Sequence, residues 1–184
     1  NANMENNILF QPNPVTIKIP PPQKILIIYN PISSAGNTEA IANHLKIELN
    51  FHGKSVEVRA SEKKMKGYMR ISDDIAASDL VVVVGGDGTI RKLLDIINKT
   101  ATPIYAIPGG NESLFARFYE MSASAEDLLQ SITSGTCLQQ FYGLISGKGI
   151  QGEKPFFNMA SMGLDSLTVK NIGKRKGPLN DSIY

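Results

Sequence analysis

The chain has 184 residues, of which 42% are hydrophobic and 20% are charged, the composition of a globular protein able to bury a core in one domain or a little more. Its formal net charge of +2 is too small to indicate nucleic-acid binding, so we expect no nucleic-acid partner. The single cysteine, Cys137, excludes an internal disulfide and fits a reducing, cytoplasmic compartment, and no apolar stretch is long enough to span a bilayer.

The two ends of the chain differ from its middle. Five prolines lie between positions 12 and 22, so we interpret residues 1–23 as an extended leader and not as a packed element. Residues 1–3, which precede Met4, look like a cloning remnant. The chain stops at residues 181–184 without a terminating pattern, which indicates a piece truncated from a longer protein.

From residue 24 to residue 135, segments typical of strands and helices alternate. Apolar or alternating runs predict strands at 24–29, 55–59, 80–84 and 103–107. Helical spacing of apolar residues predicts helices at 38–52, 62–75, 89–98, 114–118 and 125–134. We expect Asn37 to cap the first helix, and Gly53 and Gly135 to end the first and the last. This alternation predicts a parallel α/β sheet in residues 24–135.

After Gly135 the pattern changes from alternating strands and helices to strands alone. Residues 139–146 and 154–159 are predicted to be two strands around a turn at 147–152, with no helix between them. We therefore expect residues 136–184 to begin a second, β-rich lobe, with a cleft between the two lobes.

The central feature of the sequence is residues 80–90, which read LVVVVGGDGTI. The unbroken apolar run predicts a strand buried on both faces. The glycines at 85, 86 and 88 allow the backbone to turn sharply and to approach a ligand closely. Free N–H groups and the dipole of the helix that follows favour a bound anion, so the segment is typical of a polyphosphate site. A glycine-rich turn selected only for packing is the alternative.

Three polar, glycine-containing loops follow three of the predicted strands, at 30–37, 85–89 and 108–113. Loops at the carboxyl ends of parallel strands meet in one crevice, so we expect these three to converge on a ligand. None contains the lysine of a Walker-type loop or a G-x-G-x-x-G sequence, and the chain has no His/Cys cluster for zinc. The site therefore looks built for phosphates.

Asp87 is the charged chemical group of this predicted site. A carboxylate there could bind Mg²⁺, directly or through water, or accept the proton of an attacking hydroxyl, and both roles belong to phosphoryl transfer. The structural alternative is that Asp87 only caps the start of the helix at Thr89.

Several motifs together resemble the diacylglycerol kinase catalytic domain, a family that includes bacterial lipid kinases, sphingosine kinases and ceramide kinases. Residues 85–89, GGDGT, follow a hydrophobic strand, and residues 30–33 match the family's N-P-x-S loop. Residues 108–117, PGGNESLFAR, are similar to its P-x-G-T-x-N-x-F-A-R segment, and residues 157–165, FNMASMGLD, to its F-x-N-x-A-S-x-G-x-D segment. NAD kinases and 6-phosphofructokinases carry sequences very similar to GGDGT, but the asparagine–glycine–leucine loop expected of an NAD kinase is absent.

The resemblance implies a Rossmann-like parallel-sheet nucleotide-binding lobe of the NAD kinase/diacylglycerol kinase type, followed by the beginning of a β-sandwich lobe. It implies an ATP-dependent lipid kinase with ATP and Mg²⁺ as cofactors, acting on a lipid substrate at a membrane surface. The protein would then be cytoplasmic and peripheral to the membrane, and a homodimer is possible.

By the same resemblance, Asp87 takes the catalytic role and is also the candidate metal ligand, while Asn158 and Asp165 bind the lipid substrate. The implied cofactor-binding residues are Asn30, Pro31, Ser33, Ser34, Gly36, Ser61, Gly85, Gly86, Asp87, Gly88, Thr89, Gly110, Asn111 and Ser113.

The sequence departs from the family pattern at three positions. Ser34 stands where glycine is usual, Asn111 where threonine is usual, and Ser113 where asparagine is usual. Bacterial lipid kinases of this type also carry a further catalytic aspartate and metal-linked acidic residues later in the β lobe, so the fragment alone need not be active. An NAD kinase or sugar-phosphate kinase, and a non-catalytic regulator that binds nucleotide or lipid, stay open as alternatives.

Overall fold

The computed structural model describes residues 15–33, 36–61, 71–110, 112–147 and 152–157. In chain order its elements are β1 (Val15–Lys18), β2 (Lys24–Tyr29), α1 (Thr38–Phe51), β3 (Ser55–Ala60), α2 (Ser72–Ala76), β4 (Leu80–Gly85), α3 (Asp87–Thr100), β5 (Ile104–Pro108), α4 (Leu114–Phe118), α5 (Ala125–Ser134), β6 (Thr136–Gln139), β7 (Gly143–Ile145) and β8 (Lys154–Phe156).

The central element is a four-stranded sheet in the order β3-β2-β4-β5, and all three strand pairings are parallel. This confirms the α/β class predicted from the alternating sequence. β4 lies inside the sheet, and all six of its residues are buried. Such a strand is covered on both faces, which explains why its sequence has no polar residue from Leu80 to Val84.

Two hydrophobic layers cover the two faces of the sheet, because successive side chains of a strand point to opposite sides. Ile25 and Ile27 of β2 pack in the layer that contains Leu45 of α1 and Leu128 of α5. The neighbouring residues of β2 pack in the other layer, together with Ile75, Ile90 and Leu93 from α2 and α3. Full burial of each such side chain contributes about 1.5–3 kcal/mol.

The predicted boundaries of the strands and helices differ from the observed ones at a few positions. The helix expected to start near Thr89 begins two residues earlier, at Asp87, because Gly86 is extended and serves as its N-cap. Asn37 is the N-cap residue of α1, as predicted, but within the described residues its side chain makes no capping hydrogen bond. Of the helix predicted at 62–75, the structure describes only the last part, where α2 begins at Ser72; residues 62–70 lie outside the described residues.

The interpretation of residues 1–23 as a leader without packing was wrong for Val15–Lys18. These residues form β1, which pairs antiparallel with β6, and the register places Val15 opposite Gln139. The N–H of Ile19 also donates to the carbonyl of Gly135 at 3.0 Å. Proline ends a strand by removing a donor, and here the prolines flank a four-residue run that contains none, so they bound β1 without preventing it.

β7 and β8 form the antiparallel hairpin predicted after Gly135, with Gly143 opposite Phe156. The first strand of this hairpin is shorter than the predicted 139–146, because Gln139 belongs to β6 and pairs with β1 instead. Residues 158–159, predicted to continue the second strand, lie outside the described residues, and the division into lobes at 135/136 stays a prediction. In the described part of the chain, no helix has both the length and the apolar character needed to cross a membrane.

Asp79 joins the starts of β2 and β4 at the edge of the sheet opposite the predicted loops. One of its carboxylate oxygens, Oδ2, accepts the N–H groups of Gln23 at 2.9 Å and Lys24 at 2.8 Å. These two hydrogen bonds lower the pKa of Asp79, the bond from Lys24 more than the bond from Gln23, and slight desolvation of the exposed carboxylate opposes the shift only in part. The carboxylate therefore stabilises the fold in its ionised form.

We predict that Asp79→Ala lowers the free energy of unfolding by about 1 kcal/mol at neutral pH, a low value for charge-assisted bonds because the side chain is exposed. The folded-state pKa lies below the unfolded value, so this stabilisation is present above the unfolded pKa and is lost as the pH falls through the folded pKa. Denaturant titrations of both proteins between neutral and acidic pH should show the difference disappearing at low pH. Asp79→Asn is the matched control, because one amide oxygen can keep both bonds; a difference between wild type and Asp79→Ala that persists at low pH would contradict the assignment.

Candidate functional site

The three predicted loops lie at one edge of the sheet. β2, β4 and β5 are neighbouring parallel strands, with Tyr29 opposite Val84 and Gly85 opposite Pro108 at their carboxyl ends. Because the strands end in register, the loops that follow them start side by side. This convergence, which the loop composition predicted, forms the candidate site.

The second and third loops are in backbone contact through their glycines. The N–H of Gly109 donates to the carbonyl of Gly85 at 3.1 Å. A Cβ atom on Gly109 would lie 3.0 Å from the Cα of Gly85, and one on Gly110 would lie 2.8 Å from the Cα of Gly86. The second distance is shorter than real Cβ atoms show and the first is at the lower limit, so packing favours glycine at both positions whatever else they bind.

Gly88 differs from the other glycines of the GGDGT segment. No heavy atom of the described residues lies within 4 Å of the position that its Cβ would occupy, and the residue is exposed. Gly88 is in the first turn of α3, where backbone N–H groups have no partner within the helix. Packing therefore does not explain this glycine, whereas close approach of an anion to the helix N-terminus does.

The first loop is fixed to the other two by hydrogen bonds. The N–H of Asn30 donates to the carbonyl of Val84 at 3.0 Å, and the hydroxyl of Ser33 donates to the carbonyl of Gly109. At the end of the loop, the Thr38 hydroxyl donates to the carbonyl of Asn30 at 2.7 Å. The side chains of Asn30 and Ser33 are thus brought beside the glycine contact, as predicted.

Ser61 lies at the same edge, after β3. Its N–H donates to the carbonyl of Tyr29 at 2.7 Å, and the residue is buried. Ser61 therefore lies beside the start of the first loop.

The side chain of Tyr29 joins the end of β2 to α1 through a hydrogen bond to Glu39. Burial raises the pKa of Tyr29 most, and the hydrogen bond to Glu39 and the charge of Glu39 raise it further, so the phenol stays protonated.

The carboxylate of Asp87 contacts the start of α4, directly after the third loop, and not its own helix. Its Oδ2 accepts the N–H of Leu114 at 2.9 Å, and its Oδ1 accepts the N–H of Phe115 at 2.8 Å. These are the first two residues of α4, whose amides have no acceptor within their helix. The alternative that Asp87 caps the helix start at Thr89 is wrong, because the carboxylate bonds to a helix 27 residues further along the chain.

Ser113 holds the third loop in an unusual conformation. Its φ of +46° and ψ of +48° place it in the left-handed region, and the residue is buried. Its hydroxyl oxygen accepts the N–H of Gly110 at 3.1 Å. Asparagine tolerates this region better than serine, which explains why asparagine suits the position where this chain has serine.

The remaining predicted residues fall into three groups. Thr89 is buried, and its hydroxyl faces Gly85, so it lies behind the loops. Pro31 and Gly36, whose φ is +71°, are exposed on the first loop. The others lie outside the described residues: Ser34, Asn111, Asn158 and Asp165.

Three contributions to the site were not predicted from the sequence: the hydroxyl of Thr38, the backbone of Gly109, and the two amides at the start of α4. The Gly109 contact was open to prediction, because two glycine pairs that follow adjacent parallel strands must lie next to each other. The other contacts carry no signal in the local sequence.

The donor set at the site fits ATP with a metal ion that the nucleotide itself helps to bind. Within the described residues, no group of three or more His, Cys, Asp or Glu side chains is placed to hold a metal. Mg²⁺ in phosphoryl-transfer sites is bound by one or two carboxylates together with phosphate oxygens and water. One carboxylate, that of Asp87, beside the N-terminus of α3 fits this arrangement.

Comparison with known proteins gives a family and a fold. Residues 24–142, well over half of the chain, match the diacylglycerol kinase catalytic domain. A protein described as uncharacterised, sll0036 of Synechocystis sp. (strain ATCC 27184 / PCC 6803 / Kazusa), is 27% identical in an alignment of 120 positions that covers 59% of this chain and 28% of that protein.

Among solved structures, one described as a diacylglycerol kinase from Bacillus anthracis str. Sterne aligns with a TM-score of 0.51 and 20% identity. The alignment covers 60% of this chain and 40% of that one, so the chain spans less than half the length of either relative. At this identity the likeness concerns the fold, and it agrees with the parallel sheet. With the match over residues 24–142, the chain belongs to the diacylglycerol kinase catalytic domain family.

Proposed function

We propose that this protein is an ATP-dependent lipid kinase, which transfers the γ-phosphate of ATP to a hydroxyl of a diacylglycerol-like or sphingoid lipid. The observation that carries the proposal is the convergence of three loops of the matched domain around the N-terminus of α3, where Gly88 leaves the backbone open. An anionic polyphosphate is the ligand that such an arrangement favours.

In this proposal the three loops bind the nucleotide. The side-chain amide of Asn30 and the N–H of Gly88 would donate to phosphate or ribose oxygens, and the Ser33 oxygen, whose hydrogen is donated to Gly109, would accept from a ribose hydroxyl. Ser61 borders the first loop. The positive end of the α3 dipole offsets part of the phosphate charge. Bound Mg²⁺ would supply the rest of that charge neutralisation, with Asp87 as the protein ligand.

Asp87 also keeps the catalytic role that the family resemblance implies, as a proposal. An ionised carboxylate offers about four acceptor positions, and the amides of Leu114 and Phe115 use two of them. No described residue is shown bonding to the remaining positions, which would accept a metal-bound water or the proton of the lipid hydroxyl.

The lipid would enter between the α/β lobe and the β-rich lobe, near Asn158 and Asp165. A lipid acceptor requires the site to work at a membrane surface, so we propose a cytoplasmic enzyme that binds the membrane peripherally. A homodimer is part of the same proposal.

The decisive test is transfer of labelled phosphate from ATP, with Mg²⁺, by the protein at its natural full length. Diacylglycerol, sphingosine and ceramide in mixed micelles serve as acceptors, with NAD and fructose 6-phosphate in parallel reactions. We expect label in a lipid and none in the soluble acceptors. Label in NAD or the sugar phosphate, or ATP binding without any transfer, would contradict the proposal, and the last result would indicate a non-catalytic regulator.

Gly88→Ala tests the phosphate site directly. We predict that it weakens ATP binding by about tenfold or more, because the added Cβ occupies the approach to the α3 amides. The melting temperature should be unchanged or slightly higher, since the position is open and alanine favours a helix. Calorimetric titration with ATP and a thermal melt measure the two effects.

Gly110→Ala is the matched contrast to Gly88→Ala. Its Cβ would lie 2.8 Å from the Cα of Gly86, a backbone atom that cannot move aside cheaply, so we expect this substitution to lower the free energy of unfolding by about 1–3 kcal/mol.

Gly86→Val is a poorer probe of ATP binding than Gly88→Ala, because a Cβ on Gly86 would lie 3.3 Å from the Cα of Gly110 and would disturb packing as well. Unchanged ATP affinity in Gly88→Ala would place the phosphates elsewhere.

A further inference from the structure

We propose that Asp87 is a positioning residue, whose carboxylate holds the third loop in the conformation that receives the nucleotide. It does so by accepting the N–H groups of Leu114 and Phe115. The structural part of this inference stands on geometry alone, and its consequence for the reaction rests on the proposed function.

The carboxylate of Asp87 holds the start of α4 at two points, the amides of Leu114 and Phe115, and we call this pair of hydrogen bonds the clamp. Each carboxylate oxygen of Asp87 accepts a different amide, at 2.9 Å and 2.8 Å, so the plane of the carboxylate fixes the direction as well as the position of α4. Hydrogen bonds from N–H groups to an ionised acceptor are about twice as strong as neutral ones. The carboxylate also places its negative charge at the N-terminus of α4.

The third loop needs such a clamp because its own conformation is strained. Ser113, directly before α4, is a buried non-glycine residue in the left-handed region. Its hydroxyl closes the turn by accepting the N–H of Gly110. α4 itself has five residues, too few to form a stable helix without outside contacts. The hydrogen bonds to Asp87 therefore hold the strained turn and the short helix in place.

The clamp links the loops that would bind the phosphates. Asp87 is the first residue of α3 and follows the Gly85–Gly86 turn, which packs against Gly109 and Gly110. Through Asp87, the N-terminus of α3 and the start of α4 move together. Loss of the clamp should leave the sheet intact and loosen the third loop, so that nucleotide binding becomes weaker.

Amide hydrogen exchange tests the clamp without any ligand. The experiment uses the protein at its natural full length, as wild type, Asp87→Asn and Asp87→Ala. In Asp87→Ala we expect exchange at both Leu114 and Phe115 to be about tenfold faster or more, since each loses a charge-assisted bond. In Asp87→Asn one amide should keep its acceptor and the other should face an NH₂ group, so only one exchanges faster.

Asp73→Asn is the matched control. Asp73 is an exposed acid in the first turn of α2, which leads into the start of β4 and so lies at the other edge of the sheet. Exchange at Leu114 and Phe115 should be unchanged in this variant. Melting curves of all variants confirm that the sheet is folded, and Asp87→Asn, which keeps one bond, serves if Asp87→Ala does not fold.

Binding and kinetics then separate positioning from chemistry. A positioning role predicts that Asp87→Ala raises the Kd for ATP about tenfold or more even in EDTA, where loss of a Mg²⁺ ligand has no effect, and raises the KM for ATP while the lipid KM is unchanged. A general loss of structure would lower kcat and leave both KM values unchanged, because less of the protein is active. Unchanged exchange at both amides, or an unchanged Kd for ATP, overturns the inference.

Failure of the proposed function and failure of the positioning role give different results. If wild type binds no ATP, the proposed function fails and so does the nucleotide part of this inference, while the exchange experiment still decides whether Asp87 holds α4. If wild type phosphorylates a lipid and Asp87→Asn has normal exchange, normal Kd and reduced kcat, Asp87 acts in the chemistry alone and the positioning role is refuted.

Discussion

The close contact between two glycine pairs is the constraint on which the candidate site depends. Gly85–Gly86 and Gly109–Gly110 follow adjacent parallel strands, and their backbones touch at distances that leave no room for a side chain. This contact sets the distance between the segments that follow β4 and β5, and it therefore also sets where α3 and α4 begin. The hydrogen bonds from Asn30 to Val84 and from Ser33 to Gly109 then attach the first loop to the same point. In the part of the chain that the structure describes, the site is therefore a set of turns assembled on one backbone contact.

Glycine can be needed at a position either because neighbouring atoms leave no room for a side chain or because a ligand must come close to the backbone. A sequence motif does not distinguish these two reasons, but the contacts at each glycine do. In the GGDGT segment, Gly85 is explained by packing against Thr89 and Asn30 and Gly86 by packing against Gly110 of the third loop, whereas no described residue packs where a side chain of Gly88 would lie, at the N-terminus of a helix. A motif match counts all three alike. Only the residue without a packing reason directly favours a ligand, so the case for phosphate binding rests more on Gly88 than on the glycine pair before it.

Much of the fold was predictable because its signals are local. The unbroken apolar run of β4, the helical spacing in α3 and Gly135 after α5 each specify an element from a few neighbouring residues. Convergence of the loops followed from parallel pairing. The partners of Asp87 were not predictable, because the carboxylate bonds to backbone amides, which every residue except proline has. β1 was missed for a related reason: proline content describes the flanks of Val15–Lys18, and the strand that pairs with it lies more than a hundred residues away.

The pairing of β1 with β6 has a consequence for the order in which the chain acquires structure. β2, β3, β4 and β5 can join as soon as residue 108 has left the ribosome, since each pairs with strands nearby in the chain. β1 is made before these four strands, yet its partner, Thr136–Gln139, is made after all of them. Contacts of such long sequence separation form slowly, because the loop must close before the pairing repays its entropy. We therefore expect β1 to join the fold only after the four strands of the central sheet have been made.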